Sequence, residues 1–151
     1  MPHPLLDHLR ELIRETYDGG LPGQGTQYLD HGSGIRKTLG ALTAEQASRS
    51  RNGHPSIAAH ARHMAFHLRV VAEWVEGVRK QRDWVGSFQP YAVTDAEWTA
   101  LRHELDEARA EFMRAMGALP PETFVAEGAG LGALAHLAYH LGAIRQLMHE
   151  V

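Results

Sequence analysis

The chain contains no cysteine among its 151 residues. This absence excludes a disulfide framework, a thiol nucleophile and a thiolate metal ligand. Any metal site in the protein must therefore be built from imidazole and carboxylate groups. Such a donor set suits zinc, nickel, iron or copper better than magnesium or calcium.

The chain also lacks long apolar runs and an excess of positive charge. No segment approaches the roughly 18 consecutive apolar residues of a membrane-spanning helix, and the N-terminal sequence MPHPLLDHLRELIRETYD is too charged for a signal peptide. Lysine and arginine number 15 against 18 aspartates and glutamates, so the formal net charge of −3 gives no electrostatic case for binding nucleic acid. We therefore expect a cytoplasmic protein with no membrane partner and no nucleic-acid partner.

Strand patterns are absent as well, and apolar residues recur instead at helical spacing in five segments. The predicted helices run over about 4–16, 34–48, 56–82, 94–119 and 131–149, and Pro120-Pro121 is predicted to end the fourth. Ser56 is predicted to cap the third helix. Thr94 with Glu97 fits a capping box that would start the fourth helix. Thr43 with Gln46 fits a capping box, which would start a separate short turn within the second segment.

These elements predict the fold class. At 44% hydrophobic, the chain can bury a core as a single domain over residues 1–151. Four main helices and a shorter extra one predict an all-α fold, an up-down four-helix bundle with long crossover connections. The linker over 83–93 is unusually aromatic, since it holds Trp84, Phe88 and Tyr91. We expect this linker to pack over one end of the domain.

Histidine is abundant, with 11 residues, and two groups of histidines fall at helical spacing. His136 and His140 are four residues apart in the last predicted helix, so their side chains share one face, one turn apart. His60, His63 and His67 share one face of the third predicted helix in the same way. If the two faces meet across the bundle core, the pair and a third imidazole can bind one metal ion.

A structural role is the competing interpretation, because most helical histidines lie at the surface or pair with polar neighbours. We assign that role to His3, His8, His31, His54, His103 and His149. Burying His136 and His140 as neutral imidazoles among Leu, Ala and Gly costs a few kcal/mol unless their nitrogens are satisfied, and a metal ion would satisfy them. A bundle whose histidines pair with water and with each other remains the alternative.

Other catalytic and metal-binding signatures are absent from the sequence. There is no Glu-x-x-His, which argues against a ferritin-like di-iron site, and no His-Glu-x-x-His. There is no Gly-x-Ser-x-Gly elbow and no phosphate-binding glycine loop. The two histidine groups are therefore the strongest candidate for a functional site.

The same residues carry a resemblance to a known family. The segment 136–146, with the pattern HxxxHxGxIRQ, resembles the last-helix motif of the DinB/YfiT-like superfamily. The segment 56–66, which begins with Ser-Ile and ends with His-Met-Ala-Phe, resembles its second-helix motif. Asp83-Trp84 and the sequence LTAEQA at 42–47 are also similar to members of this group. Together these features span most of the chain.

The resemblance implies a four-helix bundle with a three-histidine metal site, often in a homodimer. Carried over by position, the metal ligands would be His63, His136 and His140, whereas His60 and His67 do not match ligand positions. The metal would be a divalent transition ion, zinc or nickel, with iron and manganese as alternatives. Some members resemble thiol S-transferases that use a low-molecular-weight thiol such as mycothiol or bacillithiol.

We therefore expect a metal-dependent enzyme that acts on a small-molecule substrate, with transfer of a low-molecular-weight thiol ahead of hydrolysis. Because the chain has no cysteine, the thiol must be a cosubstrate. A metal-binding or small-ligand-binding module without turnover needs the same three histidines and is a second alternative. No catalytic residue is assigned outside the triad, because Tyr139 and Arg145 project in other directions from the helix than His136 and His140.

Overall fold

A computed structural model of the chain describes residues 4–119 and 124–151, without the side chain of Phe124. Within these ranges the chain is helical and contains no strand, which confirms the predicted all-α class. The six α-helices are α1 Pro4–Asp18, α2 Ile35–Gly40, α3 Ala44–Ser48, α4 Ile57–Val75, α5 Asp95–Ala118 and α6 Phe124–Leu147. Two short 3-10 segments, Gly86–Phe88 and Met148–Glu150, complete the regular structure of this part of the chain.

The four long helices form the bundle. Helix α4 packs against α5 and α6, and α1 packs against α6. Their apolar stripes meet in a core whose largest fully buried side chains include Ile13, Leu68, Leu105, Phe112 and Leu137. In the described ranges, no helix combines the length and the apolar character that crossing a membrane requires. The packing of α4 against α6 decides which histidines can meet.

The segment predicted as one helix over 34–48 is two short helices. Helix α2 ends at Gly40, and Thr43 adopts extended backbone angles as the N-cap of α3. The hydroxyl of Thr43 accepts the backbone N–H of Gln46, and the Gln46 side chain accepts the backbone N–H of Thr43. The capping box predicted from Thr43 and Gln46 is therefore confirmed, and it separates the two helices.

Helix α4 ends at Val75, seven residues before the predicted end at Arg82, so that prediction was wrong. The backbone N–H of Gly77 donates to the Trp74 carbonyl, and the N–H of Val78 donates to the Glu73 carbonyl. These two bonds, with Gly77 at a φ of +89°, form a Schellman motif. A side chain is strained at this φ, so the glycine ends the helix. The sequence pattern had predicted a longer helix, because the apolar spacing before Gly77 and the basic residues after it are both typical of a helix.

This motif predicts opposite effects for the same substitution at two glycines. Gly77→Ala should lower the free energy of unfolding by about 1 kcal/mol, because alanine is strained in the left-handed region. Gly132→Ala should instead raise it by up to about 1 kcal/mol, because Gly132 lies exposed inside α6, where alanine is the better helix former. A new Cβ meets no atom within 4 Å at either position, so crowding does not explain the difference. Urea denaturation measures both changes, and equal signs would contradict the assignment of the motif.

Helix α6 begins earlier than predicted, at Phe124 instead of about Leu131. The glycine-rich stretch before Leu131 indicated an irregular connection, because glycine is a poor helix former. At Gly130, a Cβ would lie 3.1 Å from Cδ1 of Leu9 and 3.4 Å from Cε of Met116, so the missing side chain lets α6 approach α1 closely. Tertiary packing thus outweighs helix propensity here. Pro120-Pro121, which we predicted to end the preceding helix, lies outside the described residues.

A buried carboxylate holds the irregular segment after α1. The side chain of Glu15 is 3% exposed and accepts the backbone N–H groups of Gln27, Tyr28 and Leu29, at 2.6, 2.9 and 3.0 Å. Burial raises the pKa of this carboxyl, but the three N–H donors and the Arg14 charge lower it by more, so the net shift is downward. Glu15 therefore acts as an ionised anchor that ties residues 27–29 to the bundle.

Candidate metal centre

Three imidazole nitrogens converge where α4 packs against α6. His63 extends from α4, and His136 and His140 extend from successive turns of α6. The Nε2 atom of His136 lies 3.1 Å from Nε2 of His63 and 3.2 Å from Nε2 of His140. His63 and His140 are buried, and His136 is half-buried. The two histidine faces predicted to meet therefore do meet, at one point.

The spacing of these nitrogens fits a common metal ion. With metal–nitrogen bonds of about 2.0–2.1 Å, neighbouring nitrogens lie about 2.9 Å apart at right angles and about 3.4 Å apart in a tetrahedron. The observed separations of 3.1 and 3.2 Å fall between these values. In the described part of the chain, His63, His136 and His140 are also the single group of three or more histidines and carboxylates whose ligand atoms are close enough to share an ion. Both the number and the chemistry of the donors fit a metal.

Burial keeps these imidazoles neutral. Burial, together with the smaller effect of the neighbouring histidines, lowers the pKa of His136 to about 2 and that of His140 to about 3. Burial also lowers the pKa of His63. Since a metal binds the deprotonated nitrogen, the ligand lone pairs are available at neutral pH.

The other two histidines of α4 surround the cluster without joining it. Nδ1 of His60 lies 2.8 Å from Nδ1 of His140, and the His67 ring stacks on the His136 ring, with 3.6 Å between centroids. Burial lowers the pKa of His60, and it lowers that of His67 to about 4. Among the described residues, Nδ1 of His67 and Nδ1 of His136 are buried without a hydrogen-bond partner. The contact of His60 with His140 and the stacking of His67 on His136 thus restrict the orientation of these two rings.

The aromatic linker supplies contacts that the sequence analysis did not assign. The Phe88 ring stacks on the His63 ring with 3.9 Å between centroids, and Trp84 meets His63 edge to face. Ser87 Oγ lies 2.6 Å from Nδ1 of His63. The composition of the linker predicted that it packs against the domain, but nothing in the sequence indicated that its partner is His63.

A cavity of about 440 Å³ adjoins the cluster. Its walls include His60, Phe88, Tyr139 and His140, so the space opens directly beside one of the three converging imidazoles. Tyr139 is exposed, and its ring meets that of His140 edge to face. A small molecule in this cavity would contact both an aromatic wall and the histidine cluster.

The remaining described histidines are exposed: His8, His31, His54, His103 and His149. Of these, His54 also lines the cavity beside His140. His103 on α5 lies 3.5 Å from the Glu107 carboxylate. These positions agree with the surface role assigned from the sequence, and His3 lies outside the described residues. Arg145, which we did not assign to the site, donates to Thr38 Oγ1 at 3.4 Å.

Comparison with known proteins places the chain in a family. The family model of the DinB superfamily matches residues 27–144, a range that includes all three converging histidines. No curated protein and no solved structure matches the chain. The match covers well over half of the sequence and agrees with the resemblance seen in its motifs. The chain therefore belongs to the DinB superfamily.

Proposed function

We propose that this protein is a metal-dependent enzyme in which His63, His136 and His140 are the three protein ligands of a divalent transition metal. The observation that carries the proposal is the convergence of their three Nε2 atoms beside a cavity. An all-imidazole donor set suits zinc or nickel, with iron and manganese as alternatives. Three ligands also leave coordination positions for a substrate, as in catalytic metal sites.

The reaction we propose is transfer of a low-molecular-weight thiol to an electrophilic small molecule. When bound, the metal would lower the pKa of a coordinated thiol or water. Three neutral imidazoles do not balance the charge of a divalent ion, so the site favours an anionic partner such as a thiolate. The thiol loses its proton to solvent, its sulfur forms a bond to an electrophilic carbon, and the leaving group departs with the electrons of the broken bond. The thiol must come from outside, because the chain has no cysteine.

The absence of cysteine also makes the proposal directly testable. We expect the cobalt(II)-substituted protein to develop a sulfur-to-cobalt charge-transfer absorption when mycothiol or bacillithiol is added. The chain itself contributes no sulfur ligand of that kind, so any such band reports the added thiol. The matched control is His136→Ala, which removes the nitrogen shared by both short contacts and should show no band.

The outcomes of the metal-binding and activity measurements distinguish the candidate functions. A charge-transfer band together with thiol-dependent consumption of an electrophile supports thiol transfer. Metal binding without a band, but with hydrolysis of activated esters, would favour the metal-dependent hydrolase, in which water takes the place of the thiol. Metal binding with neither activity would favour a non-catalytic metal-binding or small-ligand-binding module. A parent protein that takes up no metal would contradict the proposal as a whole.

The family resemblance also implies a homodimer, and we include it in the proposal. The cavity beside His140 is walled by the exposed Tyr139, so a partner subunit at this surface would change access to the site. Sedimentation equilibrium of the metal-loaded protein gives the mass directly. A single species at the 16.7 kDa mass of the chain would contradict the dimer but would not contradict the proposed metal site.

A further inference from the structure

We propose that Ser87 is a positioning residue that sets the tautomer of His63, so that the lone pair of its Nε2 atom faces His136 before any metal binds. The proposal deepens the proposed function and rests on its assignment of His63 as a ligand. The proposal is based on two contacts of the Ser87 hydroxyl. Ser87 Oγ lies 2.6 Å from Nδ1 of His63 and 2.6 Å from the backbone carbonyl oxygen of Trp84.

Counting protons gives one arrangement that satisfies both contacts. A carbonyl oxygen can only accept, so the single hydroxyl proton of Ser87 must be donated to the Trp84 carbonyl. Ser87 Oγ then has only lone pairs to offer His63, and Nδ1 of His63 must be the donor in that contact. A neutral imidazole carries one proton on its two nitrogens. Nε2 of His63 is therefore unprotonated, and it is this atom that lies 3.1 Å from Nε2 of His136.

The turn that carries Ser87 is built to hold this geometry. The backbone N–H of Ser87 donates to the Asp83 carbonyl, and the N–H of Gly86 donates to the Asp83 carboxylate at 2.8 Å. A Cβ on Gly86 would collide with that carboxylate, so a larger residue there would displace the Asp83 side chain from this hydrogen bond. Phe88, the next residue after Ser87, stacks on the His63 ring and limits its rotation. The turn thus fixes both the plane and the protonated nitrogen of His63.

The hydrogen bond between Ser87 and His63 is expected to raise the affinity of the site for a metal ion. Groups that hydrogen-bond the distal nitrogen of a metal-binding histidine fix its tautomer and orientation, and their loss typically costs about 10- to 100-fold in affinity. Without the Ser87 acceptor, part of the protein would carry the proton on Nε2 of His63. That proton would point at His136 and would have to leave before the nitrogen could bind a metal.

The tautomer can be read directly in the metal-free protein. Long-range nitrogen–proton correlation spectra at neutral pH, with nitrogen-15-labelled histidine, distinguish a protonated from an unprotonated ring nitrogen. We expect His63 to show a protonated Nδ1 and an unprotonated Nε2. In Ser87→Ala the Nδ1-protonated form should lose its dominance, and Ser87→Thr, which keeps the hydroxyl, should restore it. A parent spectrum with the proton on Nε2 of His63 would overturn the proposal, and this result does not depend on any variant folding.

Zinc affinity of the metal-free proteins, measured by competition with a chromophoric chelator, is the second readout. Ser87→Ala should bind zinc about 10- to 100-fold more weakly, with recovery in Ser87→Thr. The matched control is Ser33→Ala, which removes another buried serine hydroxyl that donates to a carbonyl, that of Asp30, but touches no histidine. Equal affinity in the parent and Ser87→Ala would contradict the positioning role.

The two readouts also separate this proposal from the proposed function. A parent with the expected tautomer that binds no zinc would contradict the metal site while confirming the hydrogen-bond chain through Ser87. A parent that binds zinc and transfers no thiol, with the Ser87→Ala loss intact, would confirm the positioning role and contradict the thiol-transfer reaction.

Discussion

Replacing His140 with alanine is expected to abolish metal binding. The change removes one of the three converging nitrogens and leaves an ion with only His63 and His136. It also removes the partner of His60, whose Nδ1 lies 2.8 Å from Nδ1 of His140. The parent, purified without chelator or added metal, should contain about one equivalent of a transition metal per chain, and the variant none. Elemental analysis of the untagged proteins, before and after reconstitution with zinc or nickel, measures the difference.

His103→Ala is the matched control for this loss. His103 is exposed on α5, where it lies 3.5 Å from the Glu107 carboxylate, so its removal should leave the metal content unchanged. Unchanged occupancy in His140→Ala would contradict the assigned triad. Loss of metal in His103→Ala would show that the metal lies elsewhere in the fold. The pair of variants therefore tests the location of the site as well as its existence.

Loss of the Glu15 carboxylate is expected to lower the stability of the fold strongly. Glu15→Ala leaves three backbone N–H groups without their acceptor, and hydrogen bonds to a charged group contribute about 1.5–3 kcal/mol each. Relaxation and water will recover part of this, so we expect a loss of at least about 3 kcal/mol in the free energy of unfolding. Urea denaturation at pH 7 measures it. Glu11→Gln on the exposed side of the same helix is the control and should stay within about 0.5 kcal/mol of the parent.

The effect of Glu15 should also depend on pH in a defined direction. Its folded-state pKa lies below the ordinary value of 4.5, because the three N–H donors and Arg14 outweigh the effect of burial. A carboxyl of this kind stabilises the fold above the ordinary value, and the stabilisation is lost as the pH falls through the lowered one. The stability difference between the parent and Glu15→Gln should therefore be full at pH 7 and shrink below pH 4.5. A difference that grows on acidification would contradict an ionised Glu15.

The convergence of His63, His136 and His140 could be predicted from the sequence, whereas the residues that orient them could not. His136 and His140 are one helical turn apart in any α-helix, so their shared face follows from spacing alone. The family motif selected His63 among the histidines of α4, and the structure brings the same residue to the cluster. The contact of Ser87 with His63 joins a linker to a helix across 24 residues, and no local pattern encodes it. Residues that act through tertiary contacts carry no periodic signal.

The helix boundaries show a similar division. The capping boxes at Thr43 and Thr94 could be predicted from the sequence, because each depends on two residues three positions apart. The end of α4 was predicted wrongly although Gly77 is a local signal, because the basic residues over 79–82 suit the last turn of a helix. The start of α6 was misread because close packing at Gly130 outweighs the low helix propensity of its glycines. No sequence pattern indicated the role of Glu15, because its three backbone partners lie in an irregular segment.

The distance along the chain between the converging histidines has a consequence for the order of assembly. His63 precedes His136 by 73 residues, and the whole of α5 lies in between. Closing a loop of that size costs conformational entropy, and the packing of α4 with α5 and α6 has to offset it. The nitrogens can therefore meet only after the bundle has closed. During synthesis, a chain that has not yet added α6 carries one histidine of the triad, so the three-nitrogen cluster exists only once α6 has been added and has packed against α4.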